Sequence, residues 1–155
     1  MTTMAQRVAS RYLLAATPTP EQVVYTGVFL SKMDRQRLLK AVPAAHPRVL
    51  ADHMTIRYRS GTSMDPSYLP LGRTVTLKVI GVAQDHRAQV VLVQPQGVQP
   101  EEGRTPHITI STLEGVSPVY ANALINRGWE PLRGGLLLRG TVGWWDGNRV
   151  RTDWL

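Results

Sequence analysis

Two segments of one four-residue form, HMTI at 53–56 and HITI at 107–110, constrain the fold more than any other feature of the chain. Each alternates polar and apolar residues, and a period of two is the signature of a β-strand with one buried face. His53 and Thr55 therefore point one way and Met54 and Ile56 the other, while His107 and Thr109 repeat the pattern over Ile108 and Ile110. One His-x-Thr is ordinary on the polar side of a sheet. Two copies drawn from four histidines, with apolar residues at all four alternate positions, form a paired signal. The same phase carries Arg57 onto the face of the first pair and Ser111 onto that of the second.

The rest of the chain reads as strands mixed with two or three helices, an α+β architecture. Residues 5–16 have helical spacing and end in TPTPEQ, so 1–20 is expected to be a helical arm and linker and 21–155 one domain. VVYTGVFL (23–30) is a β-branched and aromatic strand. SKMDRQRLLKAV (31–42) is a helix with Ser31 and Asp34 spaced like a capping box and Leu38, Leu39 and Val42 as its buried stripe. VLADHMTIRY (49–58) reads as one strand, and 74–83 with 88–95 as a hairpin with Asp85 and His86 near the turn. A helix over 117–126 is expected to start at Ser117-Pro118, and Asp146-Gly147-Asn148 marks a last hairpin.

With 155 residues the chain has the length of a single domain, and without cysteine it forms neither disulfides nor thiolate metal sites. No apolar run approaches the ~20 residues of a membrane span, and Arg7 and Arg11 interrupt any signal-peptide core, so a cytoplasmic location and no membrane contact are expected. Eighteen Lys and Arg against eleven Asp and Glu give a net charge of +7, which favours phosphate-bearing partners but equally serves solubility.

If the two frames converge, two imidazoles can divide a phosphodiester cleavage, one taking the proton of the attacking water or hydroxyl and the other protonating the departing oxygen. The hydroxyls of Thr55 and Thr109 would hold nonbridging phosphate oxygens, with Arg57 and Ser111 as further contacts. This chemistry requires neither a metal nor another cofactor. A metal site lacks a third ligand, because strand phase turns Asp52 away from His53. Tyr25 and Tyr120 are candidates for stacking on a base. His46, before a strand, and His86, at a hairpin tip, read as surface residues.

HMTI and HITI resemble the two signatures of the 2H phosphoesterase superfamily, which includes RNA 2′,3′-cyclic phosphodiesterases and the cyclic phosphodiesterase domains of fungal-type tRNA ligases. YTGVFL, ADHMTIRY and TPHITISTLEGVSPVYAN are similar to a compact branch associated with RNA repair, over roughly residues 23–145. The resemblance implies a bilobal fold, two antiparallel sheets around a central cleft with helices outside. It implies metal-independent hydrolysis, with His53 and His107 as the acid/base pair and Thr55 and Thr109 holding phosphate. The substrate expected is a 2′,3′-cyclic phosphate RNA end or a small cyclic nucleotide, including the cyclic oligonucleotide defence signals that phage-type relatives hydrolyse.

Outside enzymology, the same residues fit a noncatalytic RNA- or nucleotide-binding module, and the N-terminal arm offers a docking segment for a protein partner. The sequence leaves the oligomeric state open.

Overall fold

The computed structural model describes residues 18–59, 64–101 and 103–154. The arm expected over 5–16 lies outside them. Among the described residues eight strands and two α-helices follow in the order β1 (Tyr25–Leu30), α1 (Lys32–Ala41), β2 (Arg48–Val49), β3 (His53–Tyr58), β4 (Thr74–Gln84), β5 (Ala88–Gln96), β6 (His107–Thr112), α2 (Tyr120–Asn126), β7 (Glu130–Trp145) and β8 (Val150–Arg151). The class is α+β. In place of two separate sheets there is one, ordered β1-β3-β6-β5-β4-β7-β8, and pairing of β1 with β7 closes its first six strands into an antiparallel barrel. Closure satisfies edges that would otherwise present unpaired backbone groups.

Alternation along the strands fills the barrel. Val28, Met54, Ile56, Leu77, Val79, Val91, Ile108, Ile110, Leu138 and Val142 all join one buried cluster. The apolar residues of both His-x-Thr frames thus face inward, as their period of two predicts. Leu38 of α1 and its C-cap Val42 enter the same cluster, with Leu39 partly buried against it. Ser31 caps α1 by accepting from the Asp34 amide at 3.1 Å. The reciprocal half of the expected capping box is missing, because the Asp34 carboxylate is buried elsewhere and accepts from the Arg139 amide at 2.6 Å and from Arg37 at 3.1 Å. A helix-start residue therefore ties α1 to β7. Near the start of β1, Trp144 is fully buried with Val23 and Met64, meets Trp154 edge-on at 5.5 Å and donates its indole N–H to the Asp153 carbonyl at 2.9 Å.

The strand expected over 49–58 is broken. β2 pairs with β6 at Arg48↔Thr112 and Val49↔Ser111, whereas β3 meets β6 at the single pair Met54↔Ile108. Five residue steps on one side thus face three on the other, a bulge. Ala51, fully buried at φ 58, absorbs the excess and is the one non-glycine with positive φ among the described residues. Such a conformation costs an alanine about 1–2 kcal/mol.

α2 begins at Tyr120 rather than at Ser117, since Ser117 and Pro118 form the preceding turn, their carbonyls accepting from the Tyr120 and Ala121 amides at 3.0 and 3.3 Å. Its Ala121, Leu124 and Ile125 pack outside the barrel on Ala83, Ala88, Val90 and Leu92. The predicted turn residue Asp85 pins the helix to the β4–β5 hairpin: its carboxylate accepts from the Tyr120 hydroxyl and from Arg127 at 3.0 Å, and also takes the Arg87 and Ala88 amides. Burial pushes the Asp85 carboxyl up, but these donors outweigh it and hold it below the usual carboxylate range. Among the described residues no helix is long and apolar enough to cross a membrane.

Gly27 permits the close approach of β1 to β3, because a Cβ there would lie 2.7 Å from the Met54 carbonyl oxygen. Gly27→Ala is expected to lower stability by about 1–3 kcal/mol in urea melts, as overpacking against backbone does. An unchanged midpoint would mean that the two strands yield freely.

Candidate active site

The pair Met54↔Ile108 fixes what lies on the outer face of the barrel. In an antiparallel register its neighbours place His53 across from Thr109 and Thr55 across from His107. The two histidines therefore occupy diagonal positions of this register, each across from the other frame's threonine. β3 bonds to β1 at five registered positions and β6 to β5 at five, so their single mutual bridge is a seam at which the barrel surface opens. A cavity of about 120 Å³ lies over it, bordered by His53, Thr55, His107 and Thr109 and walled by Val116, Pro118, Val119 and Asn122 ahead of and within α2.

The His53 ring stacks on Tyr25, with centroids 4.7 Å apart and 21° between planes, and Phe29 lies 5.5 Å away. These rings come from alternate positions of β1, whose sequence reads as a strand without revealing what its aromatic face covers. Burial pushes the His53 imidazole down to about 4, with the neighbouring His107 charge adding to the shift. Both rings border the one cavity. Tyr25 itself is pushed up by burial, and by Tyr58 and Asp52, and so remains a phenol.

His107 has a defined tautomer. Its Nδ1 lies 2.7 Å from the Thr105 carbonyl oxygen, which only accepts, so Nδ1 carries the hydrogen and Nε2 is the atom open to chemistry. Burial pushes this ring down, the Thr105 carbonyl opposes that by favouring the imidazolium, and Arg104 adds a further depression. Neither the Thr55 nor the Thr109 hydroxyl has a hydrogen-bond partner among the described residues, although Thr55 is 8% exposed. Two hydroxyls without partners among the described residues and two imidazoles whose neutral forms burial favours thus border one cavity, together with Arg48, Arg104 and Asp52.

The remaining predicted residues go elsewhere. Arg57 does not border the cavity; its side chain, 47% exposed, lies 3.8 Å from Glu101. Ser111 is fully buried, donating to Gln89 at 2.7 Å and accepting from the His46 amide at 3.1 Å, and so serves the loop before β2. The register of β6 against β5 shifts between Thr109 and Ser111, which is why extrapolation outward from the second frame fails for it. Tyr25 stacks on His53 instead of lining the cavity, and Tyr120 is committed to Asp85 and Arg127. His46 contacts the Asp85 carbonyl through Nε2 at 2.9 Å. Asp52, expected to face away, borders the cavity beside Arg35, because the bulge precedes β3 and alternation does not reach it. No group of three or more His, Asp or Glu among the described residues is arranged to hold a metal.

Three bordering residues carry no periodic signal: Arg48, Tyr58 and Arg104. Arg104 lies in a Gly- and Glu-rich loop, over the Tyr58 ring at 5.4 Å and bonded to Glu101 at 3.1 Å. Its side chain is only 16% exposed, and Nε is fully shielded with no hydrogen-bond partner among the described residues. Comparison of the chain with protein-family models finds no matching family, and comparison with curated proteins finds no matching relative.

A depressed histidine is a stability statement. Between 6.5 and about 4 the unfolded chain takes a proton that native His53 refuses, so stability is full above this window and falls as pH drops through it. The loss is on the order of 3 kcal/mol over the window. Urea melts at pH 7, 5.5 and 4.5 should show His53→Asn with a distinctly shallower decline than the parent chain; parallel declines would remove the buried imidazole from the account.

Proposed function

We propose that this chain is a metal-independent phosphodiesterase of the 2H type, hydrolysing a cyclic phosphate ester by two-histidine acid/base catalysis. The reading is carried by the crossed arrangement at the barrel seam, His53 opposite Thr109 and Thr55 opposite His107 on one cavity floor. A phosphodiester monoanion seated there has its nonbridging oxygens held by the two threonine hydroxyls, which puts phosphorus between the imidazoles.

His53 is the base in this scheme, because burial and stacking keep it unprotonated. It accepts a proton from water as the water oxygen bonds to phosphorus. His107 is the acid: the Thr105 carbonyl bonded to Nδ1 favours its charged form, and Nε2–H protonates the leaving oxygen as the P–O bond breaks. The products are a phosphomonoester and a free hydroxyl, and proton exchange with solvent restores both rings. Bound substrate supplies the negative charge that raises the His107 proton affinity, offsetting Arg104.

With both imidazoles held low in the free protein, most molecules at neutral pH lack the needed acid proton. The kcat/KM profile is therefore expected to peak on the acid side of an ordinary histidine and to fall as pH rises through 7. A peak above pH 7 would contradict the assignment.

The direct test is product analysis on 2′,3′-cyclic nucleotides, cyclic-phosphate-ended RNA and cyclic oligonucleotides, with EDTA present throughout. His53→Ala and His107→Ala are each expected to lose on the order of 10²–10⁴ in turnover while retaining a cooperative melt, and Thr55→Ala and Thr109→Ala to lose less. No hydrolysis of any substrate by the folded parent chain would turn the reading to a nucleotide-binding module.

A further inference from the structure

A second cavity, of about 190 Å³, adjoins the first and shares Arg104 and Asn122 with it. Its character differs. The first is walled largely by apolar groups around the histidines, whereas Glu101, Arg104, Thr105, Asn122 and Asn126 give the second hydrogen-bonding side chains. Asn122 and Asn126 are four residues apart on α2 and so share one face of the helix. Among the described residues neither carboxamide has a hydrogen-bond partner. Each offers donors and an acceptor together, the complement of a nucleobase edge.

Arg104 stands at the junction. The Tyr58 ring and Glu101 hold its guanidinium there, and its shielded, unpartnered Nε–H is a donor whose satisfaction calls for an acceptor the described residues do not supply. A guanidinium bordering a proton-transfer cavity on one side and a polar cavity on the other suits a phosphate that links two nucleotide units. Thr105 joins the two cavities covalently as well, since it borders the second and its carbonyl sets the His107 tautomer.

We propose that the second cavity receives the nucleotide preceding the one that bears the scissile phosphate, with Arg104 on the phosphate linking the two and Asn122 and Asn126 on the preceding base, so that the substrate is an oligonucleotide rather than an isolated cyclic mononucleotide. This rests on the phosphate-binding reading of the first cavity. It does not depend on hydrolysis.

Calorimetric titration with product-type probes separates the two. The probes are a nucleoside 3′-monophosphate and the dinucleotide ending in a 3′-phosphate, prepared for each of the four bases. For at least one base the dinucleotide is expected to bind the parent chain at least about tenfold more tightly, as one well-placed charged or bidentate contact provides. Arg104→Gln and Asn126→Ala should each bring that ratio down several-fold; Asn126 is exposed, so its truncation leaves the core intact. Equal affinities for mononucleotide and dinucleotide would overturn the second subsite alone. A tenfold ratio that survives both substitutions would overturn its assignment to this cavity. Failure of every probe to bind the folded protein would overturn the phosphate reading of the first cavity together with it.

Discussion

One backbone pairing, Met54 against Ile108, determines the relation between the two His-x-Thr frames. Side chains alternate strictly along a strand, so a slip of one residue would send one frame's histidine and threonine inward and its apolar pair outward. Burial of Met54, Ile56, Ile108 and Ile110 at 2% exposure or less opposes that slip from the inside of the barrel. The hydrophobic effect on one face thus holds a polar constellation on the other. At roughly 1.5–3 kcal/mol for each large apolar side chain removed from water, the four residues supply far more than the strain at Ala51 consumes.

The same pairing is also the weakest link in the ring. β3 and β6 meet once and then part, β6 turning to β2 across the bulge at Ala51, and the cavity lies over that opening. α2 roofs the opening. Its position depends on apolar packing over β4 and β5 and on Asp85, a turn residue that binds a tyrosine, an arginine and two amides at once. The site is therefore assembled from a seam, a bulge and a pinned helix, and each of these involves segments far apart in sequence.

Legibility in the sequence followed the range of the interactions. The C-terminal end of β1, the Ser31 start of α1, the β4–β5 and β7–β8 hairpins and the inward residues of both frames depend on local alternation, capping and turn chemistry, and all were readable. The break in the strand over 49–58 was not, because Ala51 has no conformational signature of its own and adopts positive φ only to reconcile two registers on β6. Arg57 and Ser111 lie away from the cavity for related reasons: the register of β6 shifts just before Ser111, and continuing a strand's phase says which face Arg57 takes but not which neighbour on that face claims it. Ser111 is claimed by Gln89 and Arg57 lies beside Glu101. Arg104, in a loop with no periodicity, and Tyr25, covering an imidazole, became recognisable only from what they touch.

By itself the sequence determined that two histidine–threonine pairs must lie on the polar faces of two strands whose opposite faces are buried. That follows from side-chain alternation and the cost of exposing four apolar residues, neither of which needs a partner strand to be identified. Only the tertiary structure decided that the strands are neighbours, that they run antiparallel with the histidines at diagonal positions, and that one ring is shielded by aromatics while the other is oriented by a carbonyl. Register, burial and desolvation are properties of the closed barrel, set by contacts between residues that the chain order separates, and they are what turn two similar tetrapeptides into chemically different groups.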